Sequence, residues 1–123
     1  MTSTTWDSTP VMFKTDGAEL RTVDIGGDIS VAFVRFVAGT DMTPAFKGLP
    51  DDLCDCPHWG YVIKGRIKLH MTDGSAPVYS AGDAFYWAPG HAPEALEDCE
   101  FLDFSPSSEF RKVVDHVKAA VGG

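Results

Sequence analysis

Basic residues, cysteines and long apolar runs are all scarce in this sequence, and each shortage closes off a class of function. Ten Lys and Arg stand against 18 Asp and Glu, a formal charge of −8. A surface of that sign repels phosphate backbones and anionic lipid heads, so no nucleic acid and no membrane is expected as a partner. No stretch approaches the ~20 apolar residues of a membrane-spanning helix. The opening MTSTTWDSTPVMFK lacks the basic start and apolar block of a secretory signal. A cytoplasmic protein is the expectation. The cysteines are three, Cys54, Cys56 and Cys99, an odd number with two of them one residue apart, which argues against a disulfide framework. Reduced thiols so placed serve as metal ligands or as inert core residues.

The 123 residues make one domain, long enough to hide roughly two thirds of the unfolded surface. Residues 1–10 are rich in Ser and Thr and read as an arm whose order depends on where Trp6 docks. Residues 11–106 break into short segments rich in Val, Ile, Phe and Tyr, separated by turn signals at TDG (15–17), IGGD (25–28), TDG (72–74), SAGD (80–83) and APG (88–90). That spacing is the pattern of an antiparallel sandwich or barrel. The clearest strands are 28–38, 58–71, 76–81, 83–88 and 100–105. Gly65 interrupts the second of these and reads as a bend that lets one strand leave a sheet and enter another. In 58–71, Tyr61, Ile63, Ile67 and Leu69 alternate roughly, while Lys64, Arg66 and Lys68 face water. Residues 107–123 switch to helical spacing, with Phe110, Val113, Val114, Val117 and Val121 on one stripe and Ser107 or Ser108 available as a cap.

The stretch LCDCPHWGYVIKGRI (53–67) sets Cys54, Cys56 and His58 at every second position before a β-branched run. The chain here resembles the cupins, whose first motif is H-x-H, three or four residues, E, six residues, G. Seven residues before Gly65 stands His58 at the family's Glu position. Cys54 and Asp52 stand where the two His would be. The second motif, G, five residues, P-x-G, two residues, H, is similar to GDAFYWAPGHAPEA (82–95). Gly82 and Gly90 keep its spacing, Pro89 comes one residue late, His91 follows Gly90 directly, and Pro93 holds the usual His position. The resemblance covers roughly residues 28–105. It implies an all-β fold, a double-stranded β-helix or jelly-roll barrel, on the outside of which the amphipathic α-helix read from the spacing of residues 107–123 is expected to pack. The family's activities span dioxygenases, isomerases, epimerases, decarboxylases, storage proteins and sugar-binding regulator domains, so membership alone names no reaction.

At the parity of the family's ligands, Cys54, Cys56 and His58 face the barrel interior, with His91 as the fourth donor and Asp52 or Asp55 as substitutes for Cys54. Two thiolates and two imidazoles suit tetrahedral Zn²⁺, and Fe(II) or Mn²⁺ less readily. Arg35, either an exposed charge or an inward cation for a carboxylate, is placed with Trp59, Tyr86 and Phe104 at the wall of a small-molecule pocket. His91 and Glu94 are the candidates for handling protons, with Asp103 a comparable base, and His70 and His116 read as surface histidines. Two functions follow: a metal-dependent enzyme acting on a small carbonyl or carboxylate compound, or a non-catalytic binding or sensing module with a structural metal or none. Redox sensing through the C-x-C pair is a third. A homodimer through edge strands or swapped arms completes the expectations.

Overall fold

The computed structural model describes residues 3–121. Among these, nine strands run β1 (Val11–Lys14), β2 (Ala18–Gly26), β3 (Ile29–Phe36), β4 (His58–Lys64), β5 (Arg66–Met71), β6 (Val78–Ser80), β7 (Ala84–Trp87), β8 (His91–Ala95) and β9 (Cys99–Pro106), followed by α1 (Ser107–Ala120). They form a six-stranded sheet, β1-β2-β3-β9-β4-β7, and a three-stranded sheet, β6-β5-β8. All the pairings within both sheets are antiparallel.

Gly65 separates β4 from β5, which lie in different sheets. Its φ of +79° is in the left-handed region, where a side chain is strained. The interior belongs to one parity of each strand: His58 and Val62 on β4, Ile67 and Leu69 on β5, Phe85 and Trp87 on β7, Phe101, Asp103 and Ser105 on β9. Tyr61 and Ile63, grouped with Ile67 and Leu69 by sequence alternation, point outward instead, because the bend at Gly65 resets the parity.

Helix α1 packs against β1, β3, β9 and the long loop. Its apolar stripe of Phe110, Val113, Val114 and Val117 is buried. No serine caps it: Pro106 holds the N-cap, and the Ser107 hydroxyl sits 2.8 Å from that of Ser30. The arm folds back on its own sheet, where Trp6 meets Phe33 edge-on at 6.4 Å under the guanidinium groups of Arg35 at 3.7 Å and Arg21 at 4.4 Å. Among the described residues no helix is long and apolar enough to cross a membrane.

Candidate metal centre

Three elements bring donors to one point between the sheets. Cys54 ends the long loop and makes an isolated antiparallel bridge with His91, the first residue of β8. The Cys54 amide donates to the His91 carbonyl at 2.9 Å, and the Cys54 carbonyl accepts from Gly90 at 2.8 Å and His91 at 3.2 Å. His58 opens β4 opposite Trp87. Ligand atoms of Cys54, His58 and His91 all lie within 4.8 Å of one another, and all three residues are buried.

The surroundings orient each donor. His91 Nδ1 is 2.7 Å from the Ala88 carbonyl; a carbonyl only accepts, so Nδ1 carries the hydrogen and Nε2 presents a lone pair. His58 Nδ1 is 2.6 Å from Ser105 Oγ, which leaves its Nε2 toward Cys54 Sγ at 3.5 Å. The imidazole rings stand 4.9 Å apart. Burial holds His58 well below its ordinary pKa, with His91 adding to the effect, and burial likewise lowers His91 against the pull of the Ala88 carbonyl. Both rings are therefore neutral at physiological pH, the form that binds a metal. Burial pushes the Cys54 thiol up, so a cation arriving there displaces a proton.

A cavity of about 60 Å³ touches Cys54, His58 and His91 and is otherwise walled by Asp103 and by apolar side chains from both sheets, the long loop and α1. Two of its lining residues carry polar atoms with no partner, Trp87 Nε1 and Asp103 Oδ1. Asp103 is 3% exposed, its other oxygen lies 4.0 Å from His58 Nδ1, and burial raises its pKa to about 8. Three buried donors with neutral imidazoles, fixed from behind, fit a divalent metal that accepts nitrogen and sulfur.

Several sequence-derived site residues fall elsewhere. Cys56 is buried but outside the donor group: its Sγ lies 3.5 Å from the Pro57 carbonyl and burial pushes its thiol up to about 12. Burial alternates from 54 to 58 as expected, with Cys54, Cys56 and His58 buried and Asp55 exposed, but only Cys54 and His58 join the donor group. Glu94 is not beside the cavity; on the outer face of β8 it meets His70 at 2.7 Å. Arg35 pairs outside with Glu100 at 3.3 Å. Trp59, Tyr86 and Phe104 are 48%, 53% and 39% exposed, on the outer side of the six-stranded sheet, since the parity that turns His58 inward turns Trp59 outward. Alternation in AFYW and CEFLDFSP places Phe85, Trp87, Phe101, Asp103 and Ser105 on one face; which face is inner needs the strand register.

A nine-stranded barrel of two antiparallel sheets with a donor set between them is a jelly-roll. The chain has the fold of the cupins. No protein-family model matches it, and no curated protein does. Among solved structures it is similar to KdgF from Halomonas sp., with 27% identity over 83% of this chain and 90% of that one and a TM-score of 0.61. It is also similar to an RmlC-like cupin from Shewanella frigidimarina, at 18% identity, covering 88% and 93% of the two chains with a TM-score of 0.62. Ectoine synthase from P. lautus matches at 15% identity over 81% of this chain and 74% of that one, TM-score 0.59; the last two likenesses concern the fold alone.

Proposed function

We propose that this cupin holds one divalent metal, zinc first, on Cys54 Sγ and the Nε2 atoms of His58 and His91, and acts as a metal-dependent enzyme on a small carbonyl or carboxylate compound bound in the adjoining cavity. The observation that carries the reading is the convergence of three buried donors on a cavity that touches all of them. Three protein ligands leave a coordination position for water or substrate, as catalytic zinc sites do, whereas structural sites are closed by four. A thiolate in the set favours zinc over Fe(II) or Mn²⁺. The bound metal would supply Lewis acidity toward a ligand oxygen.

The chain's own residues do the rest. Ser105 holds the His58 ring, the apolar wall and α1 keep water out, Asp103 Oδ1 accepts a hydrogen from the ligand and Trp87 Nε1 donates one. Three buried free thiols suit a reducing compartment, which supports a cytoplasmic location. The small volume of the cavity, about 60 Å³, favours the second reading, a binding or sensing module in which the same three residues hold a structural metal.

Elemental analysis of the purified protein tests the centre. One equivalent of metal is expected, lost in Cys54→Ser, His58→Ala and His91→Ala and kept in Cys56→Ser. A protein purified and reconstituted with zinc that binds none, or one that needs Cys56, refutes the assignment. Exchangeable water on the metal, read by proton relaxation after cobalt substitution, separates the enzyme from a closed structural site.

A further inference from the structure

A second set of convergent donors lies outside this centre. On the outer face of the three-stranded sheet, His70 of β5 and Glu94 of β8 come from neighbouring antiparallel strands, where Lys68 pairs with Glu94 and His70 with Ala92. His70 Nε2 is 2.7 Å from Glu94 Oε1. Asp41, near the start of the long loop, is drawn alongside by an isolated antiparallel bridge to Glu94, and the Thr43 amide holds its Oδ1 at 2.9 Å. Ligand atoms of Asp41, His70 and Glu94 all fall within 4.8 Å of one another.

A lone His–Glu contact at the surface would be an ordinary ion pair, worth about 0–1 kcal/mol. The third group changes the balance, because two carboxylates held together repel unless a cation joins them. Among the described residues the ion pair of Glu94 is with His70, and no Lys or Arg nitrogen lies within 4.0 Å of either carboxylate, although Lys68 stands directly across from Glu94.

We propose that Asp41, His70 and Glu94 form a second divalent-cation site, independent of the Cys54 centre, that takes an ion preferring oxygen and imidazole. With no sulfur in the set, Mn²⁺ suits it better than it suits a site containing a thiolate. Water completes the shell, since the His70 and Glu94 side chains are 38% and 29% exposed. The formal charge of −8 adds attraction at long range.

The location gives the ion a task. Asp41 sits near one end of the loop whose other end carries Cys54, and that segment is already tied to β8 by the Met42 amide on the Pro93 carbonyl at 3.0 Å and the Ala95 amide on the Thr40 carbonyl at 2.7 Å. A cation shared by Asp41, His70 and Glu94 staples the loop to β5 and β8 and stiffens the segment that presents Cys54 without touching it.

Manganese alone is the probe, followed by the loss of the free Mn²⁺ electron paramagnetic resonance signal. The unsubstituted protein and Cys54→Ser are each expected to bind one equivalent. Glu94→Gln, which keeps the side-chain shape, and His70→Ala are each expected to weaken binding at least tenfold, while zinc content at Cys54, His58 and His91 stays unchanged. Absence of Mn²⁺ binding by the folded protein, wild-type affinity in both variants, or its loss in Cys54→Ser overturns the proposal. The zinc measurement decides the inner centre separately, so failure of one site leaves the other standing.

Discussion

A carboxylate on an interior strand position costs several kcal/mol unless it is paired, and Asp103 has no partner on Oδ1 and only the neutral His58 ring 4.0 Å from its other oxygen. Its pKa, raised by burial to about 8 from an ordinary 3.8, ties the stability of the metal-free chain to pH. Below about pH 4 the group is protonated in folded and unfolded chains alike and burial costs nothing extra. Between 4 and 8 the unfolded chain releases the proton and the folded one keeps it, so stability falls as pH rises through that window. At about 1.4 kcal/mol per unit, the loss is on the order of several kcal/mol by pH 8. Asp103→Asn is expected to abolish most of this slope and to raise the melting temperature at pH 8 more than at pH 5. Equal slopes for the two proteins in metal-free thermal scans would contradict it. Asp103 could be suspected from EFLDFS, where it sits between two apolar neighbours, but its burial followed only from the pairing of β9 with β4, which sets it opposite Gly60. Cys56, named beside Cys54 as a donor, is buried as alternation predicts yet stands apart from the Cys54, His58 and His91 group: alternation fixes which side chains face inward, not which ligand atoms converge.

At the scale of elements, the sequence is most legible where composition and turn chemistry agree. The strands around β3, β4 with β5, β6, β7 and β9 are readable from β-branched and aromatic runs between turns, and α1 from its 3.6-residue period. β1, β2 and β8 were not picked out. β2 carries Glu19, Arg21 and Asp24 along a half-buried sheet, and β8 is the short HAPEA with a proline inside, so both lack the signature of a core strand. Gly65 was legible for a sound reason. A Cβ there would collide with the Asp98 carbonyl and come within 2.8 Å of Cys99 Cβ, at a φ that L residues avoid. Gly65→Ala is expected to cost roughly 2–4 kcal/mol, combining backbone strain and overpacking, measured by urea unfolding of the metal-free protein. A change below ~0.5 kcal/mol would mean that the two sheets do not depend on this bend.

For the whole molecule, the same parity that turns His58 inward exposes an aromatic face. Trp59 has Tyr86 across one flank and Phe104 across the other, Trp59 and Tyr86 rings lie 5.2 Å apart, and Tyr61 and Ile63 extend the strip along β4. Edge strands or swapped arms are the sequence expectation for a dimer, and Trp6 is engaged on its own sheet beneath Arg21 and Arg35, which leaves the aromatic strip as the surface to test. Five large side chains about half exposed present on the order of 500 Å² of apolar surface, at the upper end of what monomers leave uncovered and more than half of the ~800 Å² per partner of a stable interface. A two-fold contact needs a patch that complements itself. An aromatic strip meets that requirement against a second copy of this chain, whereas a chain of charge −8 gains nothing by opposing two charged faces. Sedimentation equilibrium is expected to give a dimer for the wild type and a monomer for Trp59→Glu combined with Tyr86→Lys, with zinc content unchanged because neither side chain reaches the centre. A wild-type chain that sediments as a monomer at high micromolar concentration removes the dimer.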